Sequence, residues 1–330
     1  MQNIKIYIPT FLLFLIGYCG LASEPDPCNY NHEFMLLKPF CDLCGCATSS
    51  GSSGFGTLAN SNFIGLRYTH QSFESKDGIF ANSPSSHEYL NTYQLWAQIP
   101  ITQKFYASAS LPYQDLNRTF ESGSANEALN GIGDASVVGW FKWQFYSNKE
   151  NDSIPYPVTR PLSKHSIQIG VGAKLPTGEF EESLTDRVNP GFQVGTGSLD
   201  GIFSLGYNYG GDKIGFSSML TYYLKGENKN DYRYGNQFNY SGNVYYKIPF
   251  TRSSLMPFVG VSGDSYQSIE QYEEAQADTD GRLLNGTFGT EYATGKFILG
   301  ANAAIPISQD LFGGNVKASE RLTIYVNFAL

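Results

Sequence analysis

The feature that most constrains this chain is a two-residue alternation. In "QFNYSGNVYYKI" the even positions are Phe238, Tyr240, Gly242, Val244, Tyr246 and Ile248, and the odd ones are Gln237, Asn239, Ser241, Asn243, Tyr245 and Lys247. An apolar face opposite a polar face at period two is a half-buried strand. "HSIQIGVGAKL" repeats the pattern, with Ile167, Ile169, Val171, Ala173 and Leu175 against Ser166, Gln168 and Lys174. So does "KIGFSSMLTYYLK", and the last segment sets Leu322, Ile324, Val326, Phe328 and Leu330 against Arg321, Thr323, Tyr325 and Asn327.

Similar runs predict about twelve strands of roughly 9–14 residues. They fall near 62–74, 88–99, 104–113, 131–145, 164–175, 196–208, 213–225, 236–249, 254–264, 281–293, 295–305 and 320–330. The connections alternate in length. "PITQ", "GGDK", "FTRSS" and "ATGK" are short, whereas 75–87, 114–130, 176–195, 226–235, 265–280 and 306–319 are long. The segment 146–164 is a long, proline-rich exception on the short side. A soluble sandwich uses strands of about 5–6 residues and turns its apolar face inward. Here the polar face carries Asp134, Lys142, Lys174, Glu291 and Arg321, a set that a dry core does not tolerate. Lipid outside and water inside accounts for both faces. The expected fold is all-β, a transmembrane antiparallel up-and-down β-barrel of about twelve strands, with short turns at one end and long loops at the other.

Composition agrees. Charged residues make up 16% of the chain, against 23 Tyr, 23 Phe and 35 Gly; soluble domains average about 25% charged. A net charge of -8 leaves no basic footprint for nucleic acid. At the N-terminus Lys5 is the sole charge before Glu24, and "IYIPTFLLFLIGYCGLA" is an apolar run ending in small residues. This predicts a secretory signal peptide over 1–22, in preference to a membrane anchor, which needs a longer run. Acylation at Cys19 is disfavoured by the bulky Tyr18 before it. Residues 23–60 then form a periplasmic or lumen-plugging segment rich in Cys, Gly and Ser, and 61–330 form the barrel.

Five stretches, "IPITQKFYASASLPY", "GIGDASVVGWFKW", "GAKLPTGEF", "VGTGSLDGIFSLGYNYG" and "LTIYVNF", carry a family resemblance through their order along the chain. The sequence resembles the outer-membrane barrels of the phenol-degradation "MetA-pathway" type, distant relatives of long-chain fatty-acid and aromatic-hydrocarbon channels. The resemblance implies uptake of small, often apolar compounds across the outer membrane of a Gram-negative bacterium. It departs at the end of the chain, where Leu330 stands in place of a terminal aromatic.

"CDLCGC" lies outside the resembling region. Cys41, Cys44 and Cys46, with Cys28 or His32 as a fourth ligand, have the spacing to hold one soft ion, Cu(I) or Zn. Disulfides stapling a small plug are the competing reading, because an even number of cysteines would remain after export. No other cofactor is expected. The acidic stretch "SIEQYEEAQADTDG" lacks the spacing of a calcium loop and reads as a solvated outer loop. The glycine-rich "GTGSLDG" has no following helix to bind phosphate. No nucleophile or metalloprotease motif stands out, so no enzymatic activity is expected. Arg67, Asp134, Lys142, Arg282, Glu291 and Arg321 are the expected polar lining of the lumen. The function expected is a channel for small solutes, whether apolar compounds or a metal complex. The alternative is a structural or partner-binding barrel with a closed lumen. The expected partners are outer-membrane lipid, the barrel-assembly machinery and the small-molecule solute.

Overall fold

The computed structural model describes residues 62–76, 85–121, 126–146, 162–184, 187–188 and 191–330. The leader, the segment 23–60 with its four cysteines, and most of the proline-rich 146–164 connection lie outside the described residues. Twelve strands close one sheet: β1 (Phe63–Lys76), β2 (Ser85–Pro100), β3 (Phe105–Phe120), β4 (Ser136–Tyr146), β5 (Leu162–Lys174), β6 (Asp200–Gly210), β7 (Ile214–Leu224), β8 (Gln237–Tyr246), β9 (Ser253–Tyr266), β10 (Gly281–Thr294), β11 (Phe297–Leu311) and β12 (Val316–Ala329). Each pairs antiparallel with its chain neighbours. β12 returns to β1 in the register Phe63↔Ala329 through Gln71↔Arg321. The circuit therefore has no free edge strand, which removes the row of unpaired backbone groups that an open sheet presents. Each of the twelve expected strands corresponds to one of these.

Parity around the ring is regular. Leu66, Leu95, Val171, Leu205, Leu220, Val259 and Ile324 are exposed on the outward face. Arg67, Gln94, Gln168, Ser204, Thr221, Ser262 and Thr323, an odd number of residues from their outward counterparts along each strand, are buried on the inward face. This pattern is the reverse of a soluble domain and suits a wall between lipid and a polar interior.

Three boundaries differ from the sequence expectation, each for a local reason. The expected strand over 131–145 is broken at 133–135, and its first part, Glu127–Ile132, pairs separately with the outer half of β3. Pro112 sits on β3 where the partner changes: Phe105–Ser110 pair with β4, and Tyr113–Arg118 with Glu127–Ile132. Proline has no N–H to give the ladder. The expected long loop over 306–319 is a turn over 312–315 between extended strands. A bulge at Ile307, between the pairs Leu284↔Ser308 and Asn285↔Pro306, lets β11 run past Pro306. The expected loop over 114–130 is likewise shortened, because β3 continues to Phe120.

The stretch "SIEQYEEAQADTDG" is more ordered than a bare solvated loop. Glu270–Gln271 and Glu274–Ala275 form a hairpin that pairs with Tyr232–Arg233 from the β7–β8 connection. Arg233 and Glu270 form an ion pair across it.

Candidate functional site: the inner face of the barrel

Among the described inward-facing residues three groups hold ionised side chains in contact with partners. The first spans β12, β1 and β2. Register places Arg67 opposite both Gln94 and Tyr325. The Arg67 Nε donates to Gln94 Oε1 at 2.8 Å, and its guanidinium lies 4.5 Å from the centre of the Trp96 ring. Such a cation held against an aromatic face keeps its charge while partly desolvated. Tyr325 donates through its hydroxyl to Glu291 of β10. A positive and a negative group thus share one stretch of the inner wall.

The second group lies nearer the loop end. The Arg118 Nη2 is 2.9 Å from Glu88, directly across the β2–β3 pair, and its Nη1 is 3.4 Å from Glu127. The ring of Phe192, from the β5–β6 connection, lies 4.3 Å from the same guanidinium. That connection therefore folds inward, and its Phe192 joins an apolar cluster with Phe73, Leu90, Leu116, Leu129, Leu283 and Leu311.

The third group is a buried network of four charges at the outer ends of β4 to β7. Lys174 Nζ donates to Asp134 Oδ2 at 2.7 Å and lies 3.2 Å from Asp200, which lies 3.3 Å from Lys225. Lys174 and Asp200 are directly paired across β5–β6. Asp134 also accepts from the backbone N–H of Gly178 and of Thr196, both at 3.0 Å, and from the Thr196 hydroxyl at 2.6 Å. A buried carboxylate so supplied with donors is stable there, and removing one partner leaves an uncompensated charge. The break at 133–135 has its reason here, since Asp134 must turn inward to reach these donors.

The glycine-rich stretches serve this crossing. A Cβ on Gly195 would stand 2.4 Å from the backbone of Gly178, so "KLPTGEF" and "VGTGSLDG" can pass only as glycine against glycine. Gly197, at φ +69, faces the ring of Phe180. Thr177 then ties the crossing to the wall: its hydroxyl donates to Gly133 O at 2.9 Å and accepts from Ala135 N at 2.8 Å.

Of the residues singled out from the sequence, Arg67, Glu291 and Arg321 are buried on the inward face of β1, β10 and β12, and Asp134 is buried in the break before β4. Lys142 is half-buried on the inward parity of β4, toward the turn end. Arg282 is a correction. It is exposed and shares the outward parity of Phe288 and Tyr292, opposite to Leu283 and Glu291. The nearby bulge lies on β11 and not on β10, so nothing along β10 resets its parity to bring Arg282 inward. The six candidates do not converge on one point.

Sequence reading passed over Glu88, Arg118, Asp200 and Lys225 as site residues. Glu88 and Arg118 were legible by parity, but the early strands alternate less cleanly. Asp200 and Lys225 stand at strand ends and gain meaning only through register. Cys28, Cys41, Cys44 and Cys46 lie outside the described residues. Among the described residues no group of three or more His, Cys, Asp or Glu could hold a metal ion.

No curated protein matches the chain. An outer membrane channel from Pseudomonas putida F1 superposes with a TM-score of 0.57 at 14% identity, covering 82% of this chain and 96% of that one. The β domain of the Bordetella autotransporter Brka gives 0.46 at 11% identity, over 82% of this chain and 100% of the other. The NanC porin gives 0.43 at 12%, over 81% and 100%. The first of these shows the fold, a barrel of the outer-membrane kind. Residues 91–318, from within β2 to within β12 and well over half of the chain, match the family model described as "Putative MetA-pathway of phenol degradation", and the chain belongs to that family.

Proposed function

We propose that this protein is an outer-membrane channel for small solutes, with the short turns and the segment 23–60 on the periplasmic side. The observation that carries this reading is the closed twelve-strand wall, apolar outward and lined inward by the Arg67, Glu291 and Arg321 charges. Rings of charge along a pore select among solutes without any reaction. The family's description supports small aromatic or otherwise apolar compounds as the cargo. The inward apolar cluster at the loop end offers such molecules a surface, while the charges of the inner face discriminate among ions.

Planar-bilayer recording tests the reading. The folded chain should conduct, Arg67→Gln should move its selectivity toward cations, and Glu291→Gln should move it toward anions. A correctly folded sample without conductance or liposome swelling, before and after removal of the outer connections, would leave the closed, partner-binding barrel as the better account. The apolar cluster is the one observation that favours that second account. The cysteine cluster adds a separable element, a soft-metal site on the periplasmic side. Metal analysis and thiol counting on the purified protein decide between it and disulfides.

A further inference from the structure

Four described turns at one end of the barrel share a composition that the channel reading does not use. The β2–β3 turn ends in Lys104, the β6–β7 turn in Lys213, and the β10–β11 turn in Lys296; the β8–β9 turn carries Lys247 and Arg252. Asp212 is the only acidic residue in these four turns, and it pairs with Lys164 at 2.7 Å. Lys104, Lys213, Arg252 and Lys296 are exposed, and Lys247 is half-exposed.

Four of the five cations come with aromatic neighbours. Lys104 precedes Phe105, Lys247 follows Tyr246, Arg252 stands two residues after Phe250, and Lys296 precedes Phe297. These four rings are 51%, 44%, 54% and 52% exposed, on or at the end of the outward face. At one turn the grouping is explicit: Lys296 Nζ lies 5.3 Å from the Phe328 ring centre, and Phe328 packs 5.6 Å from Phe297. Aromatic rings settle at the level of the lipid headgroups, and a long basic side chain beside them reaches the phosphate layer.

We propose that this rim binds anionic phospholipid headgroups, phosphatidylglycerol being the simplest, in the leaflet that the short turns face. The distribution of the cations favours lipid over a protein partner. They are spaced around the ring, between β2 and β3, β6 and β7, β8 and β9, and β10 and β11, as a shell of surrounding lipid requires. An acidic protein would need them gathered on one side. The turns are also too short to build a docking surface of the area that a stable protein contact buries. At the opposite end the β9–β10 connection carries Glu270, Glu273, Glu274, Asp278 and Asp280 with no cation of its own, and Arg233 beside it is paired with Glu270. The proposal rests on the membrane-barrel reading but not on conduction, so the two fail separately.

The test uses the full chain folded into phosphatidylcholine vesicles doped with spin-labelled phosphatidylglycerol or spin-labelled phosphatidylcholine. The motionally restricted fraction reports lipid held at the protein surface. Wild type should hold phosphatidylglycerol about three- to fivefold better than phosphatidylcholine at low salt, and the ratio should fall toward one in about 1 M salt, where the Debye length is about 3 Å. Replacing Lys104, Lys213, Lys247, Arg252 and Lys296 by Gln should bring the ratio to about one, with conductance unchanged. Neutralising Glu270, Glu273 and Glu274 should leave the preference in place. Equal restriction of the two lipids by wild type would overturn the proposal, whether or not the rim captures an acidic protein. A full preference in the five-residue variant would overturn it as well. The salt dependence of wild type alone remains decisive if that variant does not assemble.

Discussion

The two ends of this barrel solve different problems. At the turn end the four described short connections reverse the chain in a few residues, their charges are mainly cationic and largely exposed, and the Lys164–Asp212 ion pair is open to water. At the loop end the β5–β6 connection folds inward. Charges of both signs are buried there in a network of four, and glycine packs on glycine. The turn end presents exposed cations and aromatic rings and buries no ion pair among the described residues. The loop end behaves as a small folded domain built on top of the wall. Its stability depends on partners that are far apart in sequence, such as Asp134 and Thr196.

The comparison breaks most sharply at Asp134. Asp134→Ala leaves Lys174 buried with half of its anionic support, and loss of one partner of a buried pair costs about 3–5 kcal/mol. The loss should appear in urea unfolding of the micelle-bound barrel. Lys213→Met at the turn end should change the midpoint little, and a combined Asp134→Asn, Lys174→Met variant should recover part of the loss. If Asp134→Ala and Lys213→Met behave alike, the loop end does not depend on its network.

Midway between the ends the contrast is between outside and inside. Leu220 lies on the outward belt and Ser217 on the inward face of the same strand. Leu220→Arg should cost about 2–4 kcal/mol at the middle of the membrane, and Ser217→Arg much less. Equal folding yields into vesicles would contradict the assignment of faces.

Glycine substitutions sharpen the comparison at smaller scale. At Gly195 the obstacle is backbone in the way, whereas at Gly295 it is φ +56 with nothing within 4 Å. Gly195→Asn should destabilise by about 1–3 kcal/mol through overpacking. Gly295→Asn should be nearly neutral, since Asn visits the left-handed region. Thermal unfolding of the pair separates the two causes.

The smallest effect expected is electrostatic and exposed. Glu181 accepts from Lys229 at 2.6 Å and from Asn230 at 3.0 Å, and these bonds hold its carboxyl below the usual carboxylate range. A depressed carboxylate contributes stability that is present above its unfolded pKa and lost as pH falls through the folded value. Acidification through that lowered range should therefore loosen the β5–β6 connection slightly, an effect that salt already weakens. Amide exchange in residues 177–182, measured across that pH range with wild type and Lys229→Gln, checks it. A Lys229→Gln variant with the same pH response would detach the effect from this bridge.

Legibility in the sequence follows the same division. The strands were readable because parity is local: Phe238 and Tyr240 lie on one face whatever β8 pairs with. The turn end was equally readable, since "PITQ", "GGDK", "FTRSS" and "ATGK" are turns by length and composition. The loop end was not. "GDAS", "KLPTGEF" and "GTGSLDG" could be recognised as family stretches, but their meeting at Asp134, Gly178 and Thr196 depends on how the β3–β4 connection and the two ends of the β5–β6 connection come together. Arg282 shows the limit within a single strand. Its charge suggested the lumen, while its parity relative to Glu291 already opposed it.

What the sequence determined by itself was therefore a property of each strand: its existence, its two faces and the short turns that join it to a neighbour. Tertiary structure decided the rest. Register between β4 and β5, then β5 and β6, then β6 and β7, fixes whether Ser136, Lys174, Asp200 and Lys225 align. A slip of one residue at any of these pairings would turn a buried charge outward. Closure of β12 on β1 is likewise set by the accumulated offsets of all twelve strands. The physical reason is that side-chain direction is fixed by the residue's own backbone, whereas position along the barrel is fixed only by its neighbours.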